Sequence, residues 1–343
     1  MTHKQQPIGT GFTAASTVDD VLAGIDLTGK NVVVTGGHSG LGLVATRALS
    51  RAGASVVVGS RDTDRAAAAV AGIERVEVGR LDLLDPASID AFVARYLESG
   101  RPLHILINNA GYPAPAEIVR DSRGYEAQLA TNHLGHFQLT LGLRPALLAA
   151  DGARVVSTTS GAQRMSDILW DDPNFTRGGY DPGLAYAQSK TANVLFAVEL
   201  DRRWSGDGIR AFAAHPGVIA TTSFNSAVGV ESQRAQGLID DAGRPVIDPE
   251  HGKKTEEQGA ATIVFGATSP LLDGMGGLYL NNCDVSQLND DQPPPTAQEV
   301  TADVVSHSVD PESARRLWTL TERLLQEGSA SQEGPASEEG SAR

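Results

Sequence analysis

The sequence has little of three features that mark particular classes of protein. It contains a single cysteine, Cys283, in 343 residues, which excludes an intrachain disulfide and a cysteine-cluster metal site and fits a reducing compartment. Basic side chains are scarce: 28 Lys and Arg stand against 42 Asp and Glu, a formal net charge of −14, which argues against general binding to nucleic-acid backbones. No stretch approaches the roughly 18 consecutive apolar residues of a membrane-spanning helix, and the N-terminal MTHKQQPIGTGF is polar. We therefore expect a cytoplasmic protein with no nucleic-acid partner and no membrane span.

The sequence is instead rich in an alternation of β-rich apolar runs and helical patterns. Between residues 31 and 158, helical stretches separate the runs NVVVT, SVVVGS, VEVGRL, ILINN and RVVSTT, and the pattern resumes near residue 185. The near-continuous Val and Ile content of these runs predicts strands that are covered on both faces, and hence parallel strands. The sequence therefore predicts an α/β fold with a single Rossmann-type, doubly wound parallel sheet and helices on both faces.

No repeat and no internal linker divides the chain, so we expect one domain over residues 26–326, preceded by an N-terminal extension (1–25). Residues 327–343 contain only Glu, Gly, Ser, Ala, Gln, Pro and Arg, a composition that predicts a disordered tail. Two long irregular stretches, residues 164–182 and 219–254, interrupt the alternation. Loops of this length are usually functional or disordered, and the position of the first after a strand's carboxyl end favours substrate loops over mobile surface loops.

A glycine-rich stretch, TGGHSGLG at residues 35–42, follows the first predicted strand and opens a helix. Glycines at this place permit a tight turn and let backbone amides approach a pyrophosphate at the helix N-terminus. An isolated stretch of this kind could be a turn without a ligand, but its position in a βαβ unit indicates a dinucleotide site.

The end of the second predicted strand bears on the choice of cofactor. A carboxylate there would bind the ribose hydroxyls of NAD, whereas a cation suits the 2′-phosphate of NADP. The strand ends with Ser60 and Arg61, and Asp62 one residue later is interpreted as a helix cap. The sequence therefore favours NADP(H), with NAD(H) as the alternative.

Tyr186 and Lys190, in YAQSK, are four residues apart and share one face of a predicted helix. A tyrosine with a pKa of ~10 is a poor base near neutral pH, and a cation at ~4 Å could favour its phenolate by up to about 4 kcal/mol. This spacing alone is a weak signal, but Ser160, just after the strand VVSTT, adds a third polar group. We predict that Lys190 activates Tyr186 as a general acid/base.

Taken in order, TGGHSGLG, NNAG, TNHLGHF, Ser160, YAQSK and HPGVIAT resemble the short-chain dehydrogenases/reductases over residues 26–325. Within that family the chain is most similar to the retinol dehydrogenase and WW-domain-oxidoreductase-like branch. The stretches GIDLTGKNVVVTGG, GLAYAQSKTANVLFAVEL, Asn282-Cys283 after GLYL, and ARRLW carry this second resemblance.

The resemblance implies roles for particular residues. The catalytic residues it implies are Asn132, Ser160, Tyr186 and Lys190, with Thr158 and Thr159 as hydroxyls adjacent to the choice of Ser160. The cofactor-binding residues predicted from the glycine-rich stretch, the second strand and the resemblance are Gly36, His38, Ser39, Gly40, Leu41, Gly42, Ser60, Arg61, Asp82, Leu83, Asn109, Ala110, Gly111, Lys190, Pro216, Gly217, Ile219 and Thr221. Asp82 would contact the adenine, Asn109 would border the adenosine ribose, and Thr221 would meet the nicotinamide end.

The expected activity is an NADP(H)-dependent interconversion of an alcohol and a carbonyl by hydride transfer. In the reduction, Tyr186 protonates the carbonyl oxygen that Ser160 holds, Lys190 favours the phenolate, and Asn132 supports a water-linked proton route. Aromatic and aliphatic residues in the two long loops favour an apolar aldehyde or ketone, and no metal is required. The substrate itself and the direction of the reaction are not specified by the sequence.

Three alternatives bear on this expectation. The same fold could serve as a catalytically weak NADP-binding sensor or interaction protein. His133 and His136 lie three apart and could suggest a metal site, but no cysteine or nearby carboxylate completes it, so they are interpreted as packing or polar-surface histidines. The resemblance also implies a homodimer or homotetramer, formed through the helices that contain Asn132 and Tyr186.

Overall fold

The computed structural model describes residues 5–221, 229–291 and 301–332. Among these residues, eight strands form one sheet: β1 (Asn31–Thr35), β2 (Ser55–Ser60), β3 (Val76–Arg80), β4 (Ile105–Asn108), β5 (Ala153–Thr158), β6 (Ile209–His215), β7 (Leu278–Asn281) and β8 (Asp284–Val285). Their order is β3-β2-β1-β4-β5-β6-β7-β8, and neighbours are parallel except for the antiparallel pair β7 and β8. The predicted doubly wound parallel sheet is confirmed. The order in which successive strands are added reverses between β1 and β4, and such sheets bind ligands at that point.

The helices of the described residues are α1 (Val18–Leu22), α2 (Gly40–Arg51), α3 (Thr63–Val70), α4 (Pro86–Glu98), α5 (Ala127–Leu129), α6 (His136–Gly142), α7 (Arg144–Leu148), α8 (Pro182–Trp204), α9 (Val230–Ala235), α10 (Glu256–Thr268), α11 (Ser306–Val309) and α12 (Pro311–Gln332). A π-helical turn, Ala130–Gly135, joins α5 to α6, and a 3₁₀ turn, Gly161–Met165, follows β5. The Asp181 side chain caps α8 by accepting from the Leu184 N–H at 2.8 Å, and Pro182 occupies the first turn.

Each face of the sheet has its own hydrophobic core. Val32 and Val34 of β1 belong to one buried cluster, whereas Val33 between them belongs to the other. Neighbouring residues fall into different clusters because side chains alternate between the two faces of a strand. The continuous apolar runs in the sequence therefore reflect burial on both faces, as expected for parallel strands.

The predicted N-terminal extension packs on the domain from residue 5 onward. Gln5 is buried, and its Nε2 donates to the carbonyls of Tyr279 (2.6 Å) and Ser286 (2.8 Å). Val18 and Val21 of α1 lie in the core. The local sequence does not show which distant strands this segment contacts, because those contacts are made by single side chains such as Gln5.

The last helix is longer than its composition suggested. Residues 327–332, assigned to a disordered tail, continue α12 as far as Gln332, and residues 333–343 lie outside the described part of the chain. The helix is held there by distant contacts: Tyr125 Oη donates to the Leu324 carbonyl at 2.7 Å, and the Arg123 side chain lies against Gly328. Composition alone does not show such contacts.

Helix α12 also covers the outer side of the helices near the site. Its Trp318 ring packs at 4.7 Å from Phe137 of α6 and at 5.9 Å from Phe196 of α8, between ring centroids. Thr321 Oγ1 forms a hydrogen bond with His133 Nε2 at 2.8 Å. In the ranges that the structure describes, no helix has both the length and the apolar character needed to cross a bilayer.

Candidate active site

A cleft of about 710 Å³ opens at the carboxyl ends of the central strands. Most of the predicted site residues line it, namely Gly36, His38, Ser39, Gly40, Leu41, Ser60, Arg61, Asp82, Leu83, Asn109, Ala110, Gly111, Ser160, Tyr186, Lys190, Pro216, Gly217 and Ile219. These residues are spread over more than 180 positions of the chain, and the parallel sheet brings them together because every parallel strand ends at the same edge.

Two of the predicted cofactor residues do not line the cleft. A side chain at Gly42 would place its Cβ 2.4 Å from the Gly36 carbonyl oxygen and 2.7 Å from Asn109 Nδ2, so Gly42 serves the close packing of α2 on the turn. Thr221 Oγ1 instead donates to Glu256 Oε1 at 3.1 Å. Thr221 is also the last described residue before residues 222–228, which are outside the described ranges.

Asn132 is buried behind the cleft, in the π-helical turn. Its Oδ1 accepts from the Tyr112 N–H at 2.8 Å, and its Nδ2 donates to Ser189 Oγ at 2.9 Å. The side chain therefore braces cleft-lining Tyr112 against α8. Its predicted part in a proton route stays a prediction.

The glycine-rich turn has the geometry of a phosphate cradle. Gly36 adopts φ +66°, and α2 begins at Gly40, directly at the cleft wall. Ser39 stands at the N-cap but makes no side-chain capping bond, so the first-turn amides of α2 have no capping side chain among the described residues. Free amides at a helix N-terminus are the groups that bind a pyrophosphate.

A buried hydroxyl fastens the NNAG segment to β1. Thr35 Oγ1 accepts the N–H groups of Asn109 and Ala110, both at 2.9 Å, and forms a hydrogen bond with His136 Nε2 at 2.8 Å. His136 Nδ1 contacts the Asn132 carbonyl at 3.1 Å. Burial lowers the pKa of His136 to about 4, so the ring is neutral. The ring links Thr35 of β1 to the π-helical turn that contains Asn132.

The two histidines considered as metal ligands are both interior groups. Burial lowers the pKa of His133 to about 3, and its Nε2 is bonded to Thr321 as described above. Both ring nitrogens of His136 are also engaged. Within the described residues, no three His, Cys, Asp or Glu side chains cluster in a way that could hold a metal ion.

The end of the cleft beyond β2 is cationic. Arg61 and Arg65 line it together with His38 and a carboxylate, that of Asp62. Buried Ser60 holds the turn by hydrogen bonds with the backbone of Asp62, and Asp62 caps α3 by accepting from the Arg65 N–H at 3.0 Å, as predicted. Burial lowers the pKa of His38, and the charges of Arg65 and Arg61 act in the same direction, whereas the charge of Asp62 opposes them.

Sequence reasoning missed Arg65, although a signal for it was present. It is the third residue of α3, whose first turn starts directly after β2 and so faces the same edge of the sheet. Tyr112, Pro113 and Gln236 also line the cleft without having been predicted, and nothing in their local sequence marks them.

Ser160, Tyr186 and Lys190 meet at the other end of the cleft. Lys190 Nζ lies 5.4 Å from the centroid of the Tyr186 ring and donates to the Thr158 carbonyl at 3.3 Å. Ser160 forms a side-chain hydrogen bond with Tyr186. Thr159 Oγ1 donates to the Lys190 carbonyl at 2.7 Å, so that hydroxyl is committed to α8. Thr158 also lines the cleft, but the hydroxyl bonded to the tyrosine is that of Ser160.

Burial dominates the protonation of this cluster. It raises the pKa of Tyr186 to about 12, with the Ser160 hydrogen bond acting in the opposite direction, and it lowers the pKa of Lys190 to about 8. The rise in the pKa of Tyr186 is opposite to the phenolate stabilisation predicted from Lys190. It occurs because the loss of hydration on burial disfavours the phenolate more than the neighbouring groups stabilise it. At neutral pH Tyr186 therefore carries its proton.

The two long loops relate to the cleft in different ways. The segment 164–182 contributes nothing to the lining described above; Arg120 donates to the carbonyls of Asn174 (2.9 Å) and Phe175 (3.0 Å), and the Glu126 N–H donates to Asn174 Oδ1 at 3.0 Å. It thus packs behind the stretch that carries Tyr112. The segment 219–254 reaches the cleft directly, through Ile219 and Gln236.

Comparison with known proteins agrees with this geometry. The family model for short chain dehydrogenase matches residues 30–231. The chain is 44% identical over 310 residues to a "Probable oxidoreductase" of Streptomyces lividans, covering 89% of this chain and all of that protein. It is 34% identical over 335 residues to the WW domain-containing oxidoreductase of Homo sapiens, covering 94% of this chain and 74% of the relative.

A solved structure gives the same result. A short chain dehydrogenase from Burkholderia cenocepacia J2315, in complex with NADP, has a TM-score of 0.57 and 27% identity, covering 74% of this chain and 96% of that one. The family model covers more than half of the chain, and the resemblance noted in the sequence is confirmed. The protein therefore belongs to the short-chain dehydrogenase/reductase family of oxidoreductases, in the branch similar to the WW domain-containing oxidoreductases.

Proposed function

We propose that the protein is an NADP(H)-dependent oxidoreductase that interconverts an alcohol and a carbonyl compound. The observation that carries this proposal is the convergence of Ser160, Tyr186 and Lys190 at one end of a cleft whose other end is a glycine-rich, cationic cradle. A buried tyrosine beside a hydroxyl and an ammonium group can deliver a proton to an oxygen and stabilise the charge that remains.

In this proposal each side chain has one task. NADPH, when bound, supplies the hydride for reduction, and NADP⁺ accepts it in oxidation. Ser160 Oγ donates a hydrogen bond to the substrate oxygen and holds it near Tyr186. Tyr186 donates its proton to that oxygen in reduction and takes it back in oxidation. Lys190, 5.4 Å from the ring centroid, stabilises the phenolate that forms transiently.

The preference for NADP(H) over NAD(H) rests on the two arginines at the cationic end. Arg61 and Arg65 both line the cleft; Asp62 lines it as well, but its Oδ1 accepts the Arg65 N–H as the cap of α3. Guanidinium groups are suited to bind a 2′-phosphate by charge-assisted hydrogen bonds. The NADP complex of the Burkholderia relative is consistent with this choice.

The proposal includes an apolar aldehyde or ketone as substrate in the cytoplasm. Tyr112, Pro113 and Ile219 give the cleft an apolar share of its lining.

For association, we propose that α6 and α8 do not form the dimer interface that the resemblance implied. The support is that Trp318 of α12 already packs against both helices.

The proposal is tested with the purified full chain, NADPH and NADH, and a panel of carbonyl compounds graded in size and polarity. We expect NADPH oxidation with apolar members of the panel, and loss of that activity in Tyr186→Phe. Binding of NADPH without turnover of any member would favour the sensor alternative. Turnover that survives in Tyr186→Phe would remove the proposed mechanism.

A further inference from the structure

The turn that follows Ser160, Gly161–Met165, is held by buried polar groups at its start and in its middle. In its middle the fully buried side chain of Gln163 donates from Nε2 to the Asp303 carbonyl at 3.0 Å. At its start the backbone N–H of Gly161 donates to Nδ1 of His215 at 3.1 Å. This second contact is made by the peptide group that directly follows the Ser160 Cα, so it restricts the orientation of Ser160 itself.

His215 is placed to link two walls of the cleft. It is the last residue of β6, and the next residues, Pro216 and Gly217, line the cleft. The ring is 1% exposed and stacks on Tyr279, with ring centroids 6.3 Å apart and an interplanar angle of 20°. The imidazole therefore joins the end of β6 to the turn that carries Ser160.

The hydrogen bond determines the protonation of this ring. A backbone N–H can only donate, so Nδ1 of His215 must accept, and the single ring proton lies on Nε2. Burial lowers the pKa of His215 to about 3, and the charges of Lys254 and Lys190 act in the same direction. Tyr279, on β7, has its own pKa raised by burial and faces the ring as a neutral group. His215 is therefore a neutral acceptor at neutral pH.

Packing alone does not account for a histidine at this position. Nε2 is buried and has no hydrogen-bond partner among the described residues, which is unfavourable for a polar N–H group. A leucine or phenylalanine would avoid that penalty, but neither can accept the Gly161 N–H. A side chain at Gly161 would place its Cβ 2.8 Å from the Thr301 carbonyl oxygen, so the turn cannot relax in that direction without moving its neighbours.

We propose that His215 is a positioning residue for the reaction: through Nδ1 it holds the Gly161 peptide and thereby aims Ser160 at the substrate oxygen beside Tyr186. The inference rests on the proposed function for its kinetic consequence, but the contact itself can be tested without turnover. His215 itself contacts neither the reacting atoms nor the glycine-rich stretch 35–42; its bond is to Gly161.

The test compares His215→Asn with His215→Leu in the full chain. Asparagine places Oδ1 close to the position of Nδ1 and can accept the same N–H, whereas leucine fills similar volume without an acceptor. We expect His215→Leu to lower kcat by about tenfold or more and His215→Asn to stay within about threefold of wild type, since misaligned polar groups lose transition-state stabilisation. The dissociation constant for NADPH should stay within about twofold in both variants, because the lost bond is to Gly161 and not to Pro216 or Gly217, the predicted cofactor residues beside His215.

A double-mutant cycle identifies Ser160 as the target. In the Ser160→Ala background, His215→Leu should lower kcat by less than about twofold, since residues that act through each other are not additive. Equal losses of kcat in the Asn and Leu variants, or the same loss with and without Ser160, would overturn the proposal.

Amide hydrogen exchange at Gly161 gives a readout that does not require activity. We expect slow exchange in wild type and His215→Asn and faster exchange in His215→Leu. Similar exchange in all three variants would overturn the His215 inference even if the enzyme is active. A chain that shows this exchange pattern but no Tyr186-dependent turnover would instead contradict the proposed function.

Discussion

The two ends of the cleft are held together in different ways. At the proposed cofactor end, defined by residues 35–42 and 60–65, backbone groups and short-range side-chain bonds hold the turns. The Gly36 N–H donates to the Gly59 carbonyl, and Ser60 and Asp62 bond backbone groups two or three residues away. At the catalytic end, defined by Ser160, Tyr186 and Lys190, the positions are held by side chains. Asn132 bonds Ser189, and His215 bonds Gly161, across more than 50 residues of chain in each case.

This difference has a physical reason. A phosphate cradle needs close approach of amides, which a short glycine-rich turn before a helix provides locally. A proton-transfer site needs polar groups held in a dry interior, where each donor and acceptor requires a partner. The catalytic end should therefore be sensitive to single side-chain changes and to pH, and the cofactor end to changes of backbone and charge.

Tyr186→Phe should show the largest difference between the effect on turnover and the effect on NADPH binding. The ring remains while the proton donor is lost, so we expect turnover to fall about 10²- to 10⁴-fold while the NADPH dissociation constant stays within about threefold. Steady-state kinetics and a fluorescence titration with NADPH measure the two quantities. Tyr96→Phe, which removes a buried hydroxyl bonded to the Pro102 carbonyl away from the cleft, is the matched control. A large loss of NADPH binding in Tyr186→Phe would show that the two ends are not separate.

The cationic end of the cleft should by itself determine the choice between NADPH and NADH. We expect Arg61→Asp combined with Arg65→Glu to weaken NADPH binding about tenfold or more and NADH binding less than about threefold, since only NADPH loses charge-assisted contacts and gains repulsion. Titration with both cofactors measures this. Arg47→Glu combined with Arg51→Glu, two exposed charge changes on α2 outside the cleft lining, controls for the same change in net charge. If wild type binds NADH as tightly as NADPH, the argument from Arg61 and Arg65 is wrong.

The buried histidines should make the free energy of unfolding sensitive to acid. His133, His136 and His215 have pKa values of about 3, about 4 and about 3 in the folded chain. The unfolded chain binds protons on histidine below about pH 6.5, whereas the folded chain does not until about pH 4. Between these limits the unfolded state holds more protons, so the free energy of unfolding falls as pH falls; these three groups together contribute up to about 4 kcal/mol per pH unit.

Urea denaturation at a series of pH values from 7.5 to about 5 measures this slope. In His215→Asn the slope should decrease by about one proton, because one of the three groups is gone. A free energy of unfolding that is constant over this range would contradict the protonation states assigned to the interior.

The smallest effect is expected behind the catalytic end. Asn174→Ala removes the acceptor of the Glu126 N–H and loosens the stretch that carries Tyr112. We expect KM for a large apolar carbonyl compound to rise about two- to fivefold, with NADPH binding unchanged, because binding energy remote from the cofactor is affected. Thr176→Ala, in the same loop but bonded only to Asp172, is the control. A change in NADPH binding without a change in KM for the carbonyl compound would contradict the prediction that this loop supports the catalytic end of the cleft.

The sequence by itself predicted the parts that depend on local spacing. The alternation of apolar runs indicated the parallel sheet, the stretch 35–42 indicated the cradle, and Tyr186 with Lys190 indicated a shared helix face; the structure brings all of these to one cleft. These features can be predicted from short stretches of sequence because the conformational freedom of glycine and the periodicity of a helix act within a few residues.

Only the tertiary structure decided which distant groups meet and how strongly water is excluded. It placed His215 against Gly161, showed Arg65 in the cleft, put α12 over α6 and α8, and moved the pKa of Tyr186 upward rather than downward. These outcomes depend on burial and on contacts between residues far apart in the chain. Desolvation depends on the whole surrounding fold, so no short stretch of sequence records it.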